Sequence, residues 1–169
     1  GKLRRVEFAA GDAVACFVGD PVKLTGTANA AGTIPVVAQS GAGDDSVGVL
    51  VSLDFDASDE GSLTTPLTRA ALTARTGMVA MGSDVLYVCQ EDSDGNSITV
   101  DEVGLNINVV LGAGSNISGS TAELDSTSAA ATSTHMLRLH HLYDAPDNAL
   151  GTNARWVVSI NAHQDTAVL

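Results

Sequence analysis

Four histidines are the first side chains to consider as ligands of a metal ion: His135, His140, His141 and His163. On one extended strand His135 and His141 would share a face, but the chain between them would separate them by roughly 20 Å. His140 would point to the opposite face. Zinc ligands all lie about 2 Å from the ion, so this strand alone cannot assemble a site. The sequence therefore predicts no metal centre, and no cofactor.

The segment 92–96 resembles part of a calcium-binding loop, because Asp92, Asp94 and Asn96 offer oxygen ligands at alternate positions. An EF-hand loop needs its glycine after the third ligand and a glutamate further on. Here Gly95 comes one position too early. An Asp-Gly hairpin turn explains the same residues, and adventitious calcium binding is the alternative.

Patterns that would indicate catalysis are weak. Asp54 and Asp56 would fall on one strand face, as a pair of glycosidase carboxylates could, but the acidic run continues through Glu60 and indicates a solvated rim. The glycine-rich segment 112–119 lacks the lysine of a phosphate-binding loop, and no GxSxG nucleophile motif occurs. The sequence predicts a protein that is not an enzyme.

The two cysteines, Cys16 and Cys89, lie far apart in the chain among apolar neighbours. A small secreted scaffold would usually carry more cysteines. This favours two buried free thiols, and a disulfide between them is the alternative.

The chain is acidic: its 169 residues carry a formal net charge of −12. Nucleic-acid binding is disfavoured, because it requires clustered lysine and arginine. Three of the eight basic residues, Lys2, Arg4 and Arg5, lie within the first five positions. They predict a basic arm that docks onto an acidic protein surface, and a solvated tail is the alternative.

Membrane and export signals are weak as well. No apolar run approaches the ~18 residues of a membrane span. Glu7, Gly11 and Asp12 interrupt the one stretch with the outline of a signal peptide. The sequence predicts no membrane partner and synthesis in a cytosol.

The apolar pattern predicts an all-β protein. Residues 47–55 alternate with period two, which places Val49 and the other odd positions on a buried face, and residues 103–111 repeat the pattern. Trp156 alternates in phase with Val158 and is predicted in the core. The remaining predicted strands are 13–18, 34–38, 78–81, 85–89, 98–100, 136–143 and 156–161.

These segments predict a compact β-barrel, β-tulip-like or sandwich module with long loops. Residues 1–12 are interpreted as an N-terminal arm and 13–165 as a single β-rich domain. Within that domain, residues 112–134 are predicted to be a long loop excursion. A structureless segment of this length is often functional or disordered. Residues 166–169 are interpreted as a tail.

Several short motifs together resemble head-decoration proteins of tailed bacteriophages. The segments 19–22 (GDPV) and 48–51 (GVLV) resemble two strands at the start of these proteins. Segments 88–92, 103–106, 118–120 and 123–125 are similar to stretches of a podovirus-type family of virion structural proteins. The run from Pro146 to Gln164 resembles that family's closing signature, "PDN…G.NAKW.V.IN.HQ", with Arg155 where lysine is more usual.

The resemblance covers most of the chain from residue 13 and implies a viral capsid decoration (cement) protein: an oligomeric β-barrel-like module on the outer surface of an icosahedral phage head. Its partners would be the major capsid protein and itself, as a homotrimer or alternatively a homodimer. It would be made in the host bacterial cytoplasm and reside in the virion. Lys2, Arg4 and Arg5 would contact the capsid or a second copy.

Two other functions compete with this one. The first is another virion structural role, such as a head fibre base or tail protein. The second is a carbohydrate-binding β module, which would need aromatic side chains at the surface, whereas aromatic residues make up 4% of the chain.

Overall fold

The computed structural model of the protein describes residues 2–56 and 61–164. It is nearly all β, as the sequence predicts. The strands are β1 (Lys2–Phe8), β2 (Cys16–Phe17), β3 (Pro21–Ala28), β4 (Pro35–Gln39), β5 (Gly48–Leu53), β6 (Thr68–Arg69), β7 (Arg75–Met81), β8 (Leu86–Gln90), β9 (Asn106–Ile107), β10 (Val109–Leu111), β11 (Ala122–Leu124), β12 (Leu137–Leu142) and β13 (Arg155–Ile160). A four-residue α-helix, α1 (Gly61–Thr64), and a 3₁₀ helix (Val100–Glu102) complete the elements.

Five strands close into a barrel in the order β1-β4-β3-β5-β7, with β7 returning to pair with β1. Closure gives each of these five strands a neighbouring strand on both sides. Inward-facing aliphatic and aromatic side chains fill the interior, and Phe8, Val37 and Leu50 are fully buried there. The barrel therefore has its own hydrophobic core.

Residues 2–8 are not an arm, and that prediction is wrong. They form β1, which pairs with β7 along its whole length, from Lys2 opposite Met81 to Phe8 opposite Arg75. Only Val6 and Phe8 of this strand are buried, and its first four residues are exposed. A strand with two core positions and a basic half carries too little apolar alternation to be recognised in the sequence.

The predicted buried face of the segment 47–55 is right at Val47 and Leu53, and it is wrong at Val49, Val51 and Phe55. Val47 packs into the core from the turn before β5, and within β5 the inward residue is Leu50. A bulge between Leu50 and Ser52 then interrupts the alternation of inward and outward side chains, and Val51 is 42% exposed. Val49 is half-buried on the outside of the barrel. Before the bulge the even-numbered Leu50 faces the core, and after it the odd-numbered Leu53 does.

The second hydrophobic core lies under a four-stranded antiparallel sheet ordered β8-β13-β12-β9. Trp156 is 1% exposed and packs with Leu139 and Val158, which confirms its predicted core position. The predicted strands at 85–89, 136–143 and 156–161 are confirmed as β8, β12 and β13. The predicted Asp-Gly hairpin does not form, because β8 ends at Gln90 and no strand follows before residue 106.

The segment 112–134, predicted to be a long loop excursion, lies mostly outside regular secondary structure but is anchored in the protein interior. It contains β11, which pairs antiparallel with β10, and Leu124 is fully buried in the second core. Its first part packs against the barrel, where Ser120 donates a backbone hydrogen bond to Val18 O at 2.8 Å. The predicted tail, residues 166–169, lies outside the described residues.

Candidate interaction surface

The predicted contact residues lie on β1, in the wall of the barrel. Lys2, Arg4 and Arg5 are all exposed. The Arg5 guanidinium pairs with the Asp54 carboxylate at 3.0 Å and donates to Thr76 Oγ1. Arg5 therefore links β1 to its neighbours, whereas the contact role of the exposed Lys2 and Arg4 stays a prediction.

The ion pair with Arg5 also bears on the carboxylates considered for catalysis. Asp54 accepts from the Arg5 guanidinium and from Thr76 Oγ1 at 2.8 Å, so it forms a structural pair across strands. The acidic residues of the predicted calcium loop are engaged similarly: Asp92 and Asp94 both accept hydrogen bonds from Ser126. Within residues 2–56 and 61–164 no three histidine, cysteine, aspartate or glutamate side chains converge on a point that would hold a metal ion.

Neither cysteine is suited to nucleophilic chemistry. Both are free thiols, as the sequence favours, with Cys16 buried in the barrel. Burial raises the pKa of Cys16 and raises that of Cys89 to about 12, so both thiols stay protonated at neutral pH. Cys89 lines a cleft of about 270 Å³ between the barrel and the sheet, opposite Pro21 and Val49.

The residues of the closing signature hold the second sheet together. The Asn148 side chain donates to Tyr143 O and Arg155 O and accepts from Arg155 N, at 2.7, 2.8 and 2.8 Å. Arg155 pairs with Asp147 and lies over the Tyr143 ring, 5.6 Å from its centre. Asn148 thus closes the turn that joins β12 to β13.

The end of the same signature joins the two cores. Gln164 Oε1 accepts from Leu24 N at 2.6 Å, and its Nε2 donates to Leu24 O at 3.3 Å. One side chain therefore bonds both backbone groups of Leu24 in β3. Beside it, Ser46 N donates to Ala162 O and Gln164 N donates to Ser46 O, at 2.8 and 3.0 Å. These contacts fix the position of the sheet on the barrel.

The GDPV segment has a structural role as well. Asp20 is 2% exposed, and its Oδ2 accepts from Phe17 N and from Gln39 Nε2 at 2.8 and 2.6 Å. Gly19 has φ +102° and passes so close to Ser120 that a Cβ would lie 2.8 Å from its side chain. The motif therefore turns the chain from β2 into β3 at the point where it contacts Ser120.

Sequence reasoning missed three buried charged residues: Arg69, Arg75 and Glu91. Arg69 donates to backbone carbonyls of Ala9, Val14 and Thr73 and pairs with Asp12 at 3.2 Å. The sequence carries no signal for this burial, since arginine side chains are mostly exposed in proteins.

The fold and these contacts define an all-β protein made of a closed five-stranded barrel joined to a four-stranded sheet, each with its own core. Comparison with protein-family models, curated proteins and solved structures gave no match to this chain. In the described part of the chain no helix has the length and apolar character needed to cross a membrane.

Proposed function

We propose that this chain is a capsid decoration protein, which binds the outer surface of an icosahedral phage head and stabilises contacts between major capsid protein subunits. The observation that carries the proposal is the role of the motifs behind the family resemblance. The hydrogen bonds of three motif residues close a turn or join the barrel to the four-stranded sheet: Asp20, Asn148 and Gln164. These positions support the turns and connections of the fold, and their match to the family motifs supports the proposal.

The chemistry of the described residues supports a binding role. Of the carboxylates considered for catalysis, Asp54 is engaged in a structural pair, and burial keeps both thiols protonated. Attachment to a shell requires rigid surface and buried area, about 800 Å² per partner for a standard interface. Many identical contacts on one lattice then give strong attachment from modest single affinities.

Charge gives the proposed capsid contact a location. Lys2 and Arg4 are exposed on β1 of a chain with net charge −12, so they offer a local basic site for an acidic patch of the capsid protein. The partners in this proposal are the major capsid protein and further copies of the chain, in a virion assembled in a bacterial host.

The decisive experiment is co-sedimentation of the purified protein with undecorated heads, counting copies per shell at saturation. We expect a stoichiometry that matches the two-fold or three-fold positions of the shell. Absence of binding at micromolar protein would contradict the proposal and favour a tail or fibre role. Binding on a glycan array instead would favour the carbohydrate-binding alternative, which the burial of Trp156 disfavours.

A charge-reversal variant tests the site. Arg4→Glu is expected to weaken attachment to heads several-fold, with a larger effect at low salt, because this exposed charge acts through screened attraction. Arg138→Glu, at an exposed position of β12, is the matched control and should bind normally. Equal loss in both variants would indicate a non-specific charge effect and contradict the assigned contact.

A further inference from the structure

Three segments of the described chain meet at one end of the barrel: residues 9–15, 62–74 and 112–119. We call this end the neutral tip. Arg69 joins the first two segments through its hydrogen bonds to Ala9 O, Val14 O and Thr73 O. Asn116 joins the second and third, since its side chain donates to Thr64 O and accepts from Leu67 N.

The neutral tip exposes four aliphatic side chains, at least one from each segment. Ile117 is 93% exposed, Leu63 70%, Leu72 64% and Val14 50%. Scattered exposed aliphatic residues need no explanation, but a group of them on loops that are themselves hydrogen-bonded together is typical of an interaction site.

The turn under Ile117 is held rigidly. Ser115 and Gly119 exchange backbone hydrogen bonds at 2.9 and 2.8 Å. Ser115 Oγ also accepts from the backbone N–H groups of Ile117 and Ser118. The most exposed aliphatic side chain of the described residues is therefore presented on a pre-organised turn, which lowers the entropy lost on binding.

Leu72 provides a second, independent observation. Its φ is +60°, a conformation that favours glycine or asparagine and is costly for leucine. Its N–H donates to Asp12 O at 2.7 Å, which holds the backbone in place. A leucine in a strained position with its side chain mostly in solvent does nothing for the isolated chain. Such strain is concentrated at functional sites.

Charge distinguishes this end from the rest of the molecule. The only ionisable side chains in the three segments are Asp12 and Arg69, and these pair with each other. The acidic residues Asp59 and Glu60 precede the second segment and lie outside the described residues. A chain of net charge −12 repels its own copies at most surfaces.

We infer that the neutral tip is the surface through which copies of this chain associate with one another. A contact there brings aliphatic side chains together and keeps carboxylates out of the interface core, where charged residues are depleted. A basic partner would gain more from the acidic surfaces elsewhere, so a second copy is the occupant that the charge distribution favours. The inference rests on the part of the proposed function in which copies of the chain associate, and its test requires no capsid.

Sedimentation equilibrium of the purified protein at micromolar concentrations measures the association directly. We expect a dimer or trimer whose dissociation constant falls as salt is raised, because screening reduces the repulsion between acidic copies. Ile117→Asp should weaken association by about tenfold or more. Val100→Asp is the matched control, at an aliphatic residue 62% exposed on the 3₁₀ helix, and should associate as the wild type does.

Leu72→Asn guards against an effect of misfolding. Asparagine tolerates positive φ, so the variant should melt at or above the wild-type temperature while associating more weakly. A monomeric wild type over this range would overturn the inference, as would unchanged association of Ile117→Asp. If the wild type is monomeric and Ile117→Asp fails to bind heads, the tip contacts the capsid and the assignment to a second copy is wrong. Head binding by a monomer leaves the proposed function standing.

Discussion

At the scale of single residues, the buried charges decide most of what the sequence does not reveal. Glu91 is fully buried, and its Oε2 accepts from Ile98 N and from Trp156 Nε1 at 3.0 and 3.3 Å. Burial raises the pKa of Glu91 above its ordinary value, because the hydrogen bonds it accepts do not fully replace water. This carboxyl holds the segment after β8 against the second core and weakens the folded state when it is charged.

Glu91 gives a pH dependence of known sign. A carboxyl with a raised pKa in the folded state contributes stability below its unfolded pKa, and this is lost as pH rises through the folded value. Relative to wild type, Glu91→Gln should therefore gain free energy of unfolding as the pH is raised from 4 to 7. Urea titrations at both pH values measure this difference.

The control for Glu91→Gln is Asp144→Asn, which removes a carboxyl at an exposed position after β12. Its stability relative to wild type should change little over the same pH interval. A Glu91→Gln variant whose relative stability falls with pH would mean that the charged carboxylate stabilises the fold.

At the scale of elements, β5 shows how one inserted residue sets the faces of a strand. Leu50 faces the barrel interior, and after the bulge at Val51 the side chain of Leu53 packs against the same core. A Cβ at Gly48 would lie 2.1 Å from Ala80 O on β7, so only glycine allows these strands to pair closely. The period-two pattern identified the strand, but it did not reveal that the inward face changes at the bulge.

Paired alanine substitutions test these faces. Leu50→Ala should lower the free energy of unfolding by about 2–5 kcal/mol, because it leaves a cavity beside Val79 in the barrel core. Val51→Ala, at a side chain 42% exposed, should change it by less than about 1 kcal/mol. Urea denaturation measures both free energies of unfolding. A larger loss in Val51→Ala than in Leu50→Ala would mean that Val51 faces the core, as the alternation predicts.

At the scale of the whole molecule, two cores are joined by a small number of polar contacts. Gln164 bonds both backbone groups of Leu24, and the Ser46 backbone bonds residues 162 and 164. Asn116 makes a further connection near α1. We therefore expect these contacts to couple unfolding of the barrel to unfolding of the sheet.

Gln164→Ala is expected to loosen this connection. It removes two hydrogen bonds to β3 and should lower the melting temperature by several degrees, from a loss of about 1–3 kcal/mol. Calorimetry should show a broadened or divided transition as the two cores separate. Gln90→Ala, an exposed glutamine within the second sheet, is the control and should keep one transition. An unchanged transition in Gln164→Ala would assign the connection to other contacts.

The sequence by itself determined the all-β class, the core position of Trp156 and the place of β8, β12 and β13, because long apolar alternations reflect local geometry. It did not determine that residues 2–8 close a barrel, since β1 depends on pairing with β7, far along the chain. Only the tertiary structure placed Arg69 and Glu91 in the interior and gathered Val14, Leu72 and Ile117 at one end. Burial of a charge and the meeting of distant loops depend on partners that no local pattern specifies.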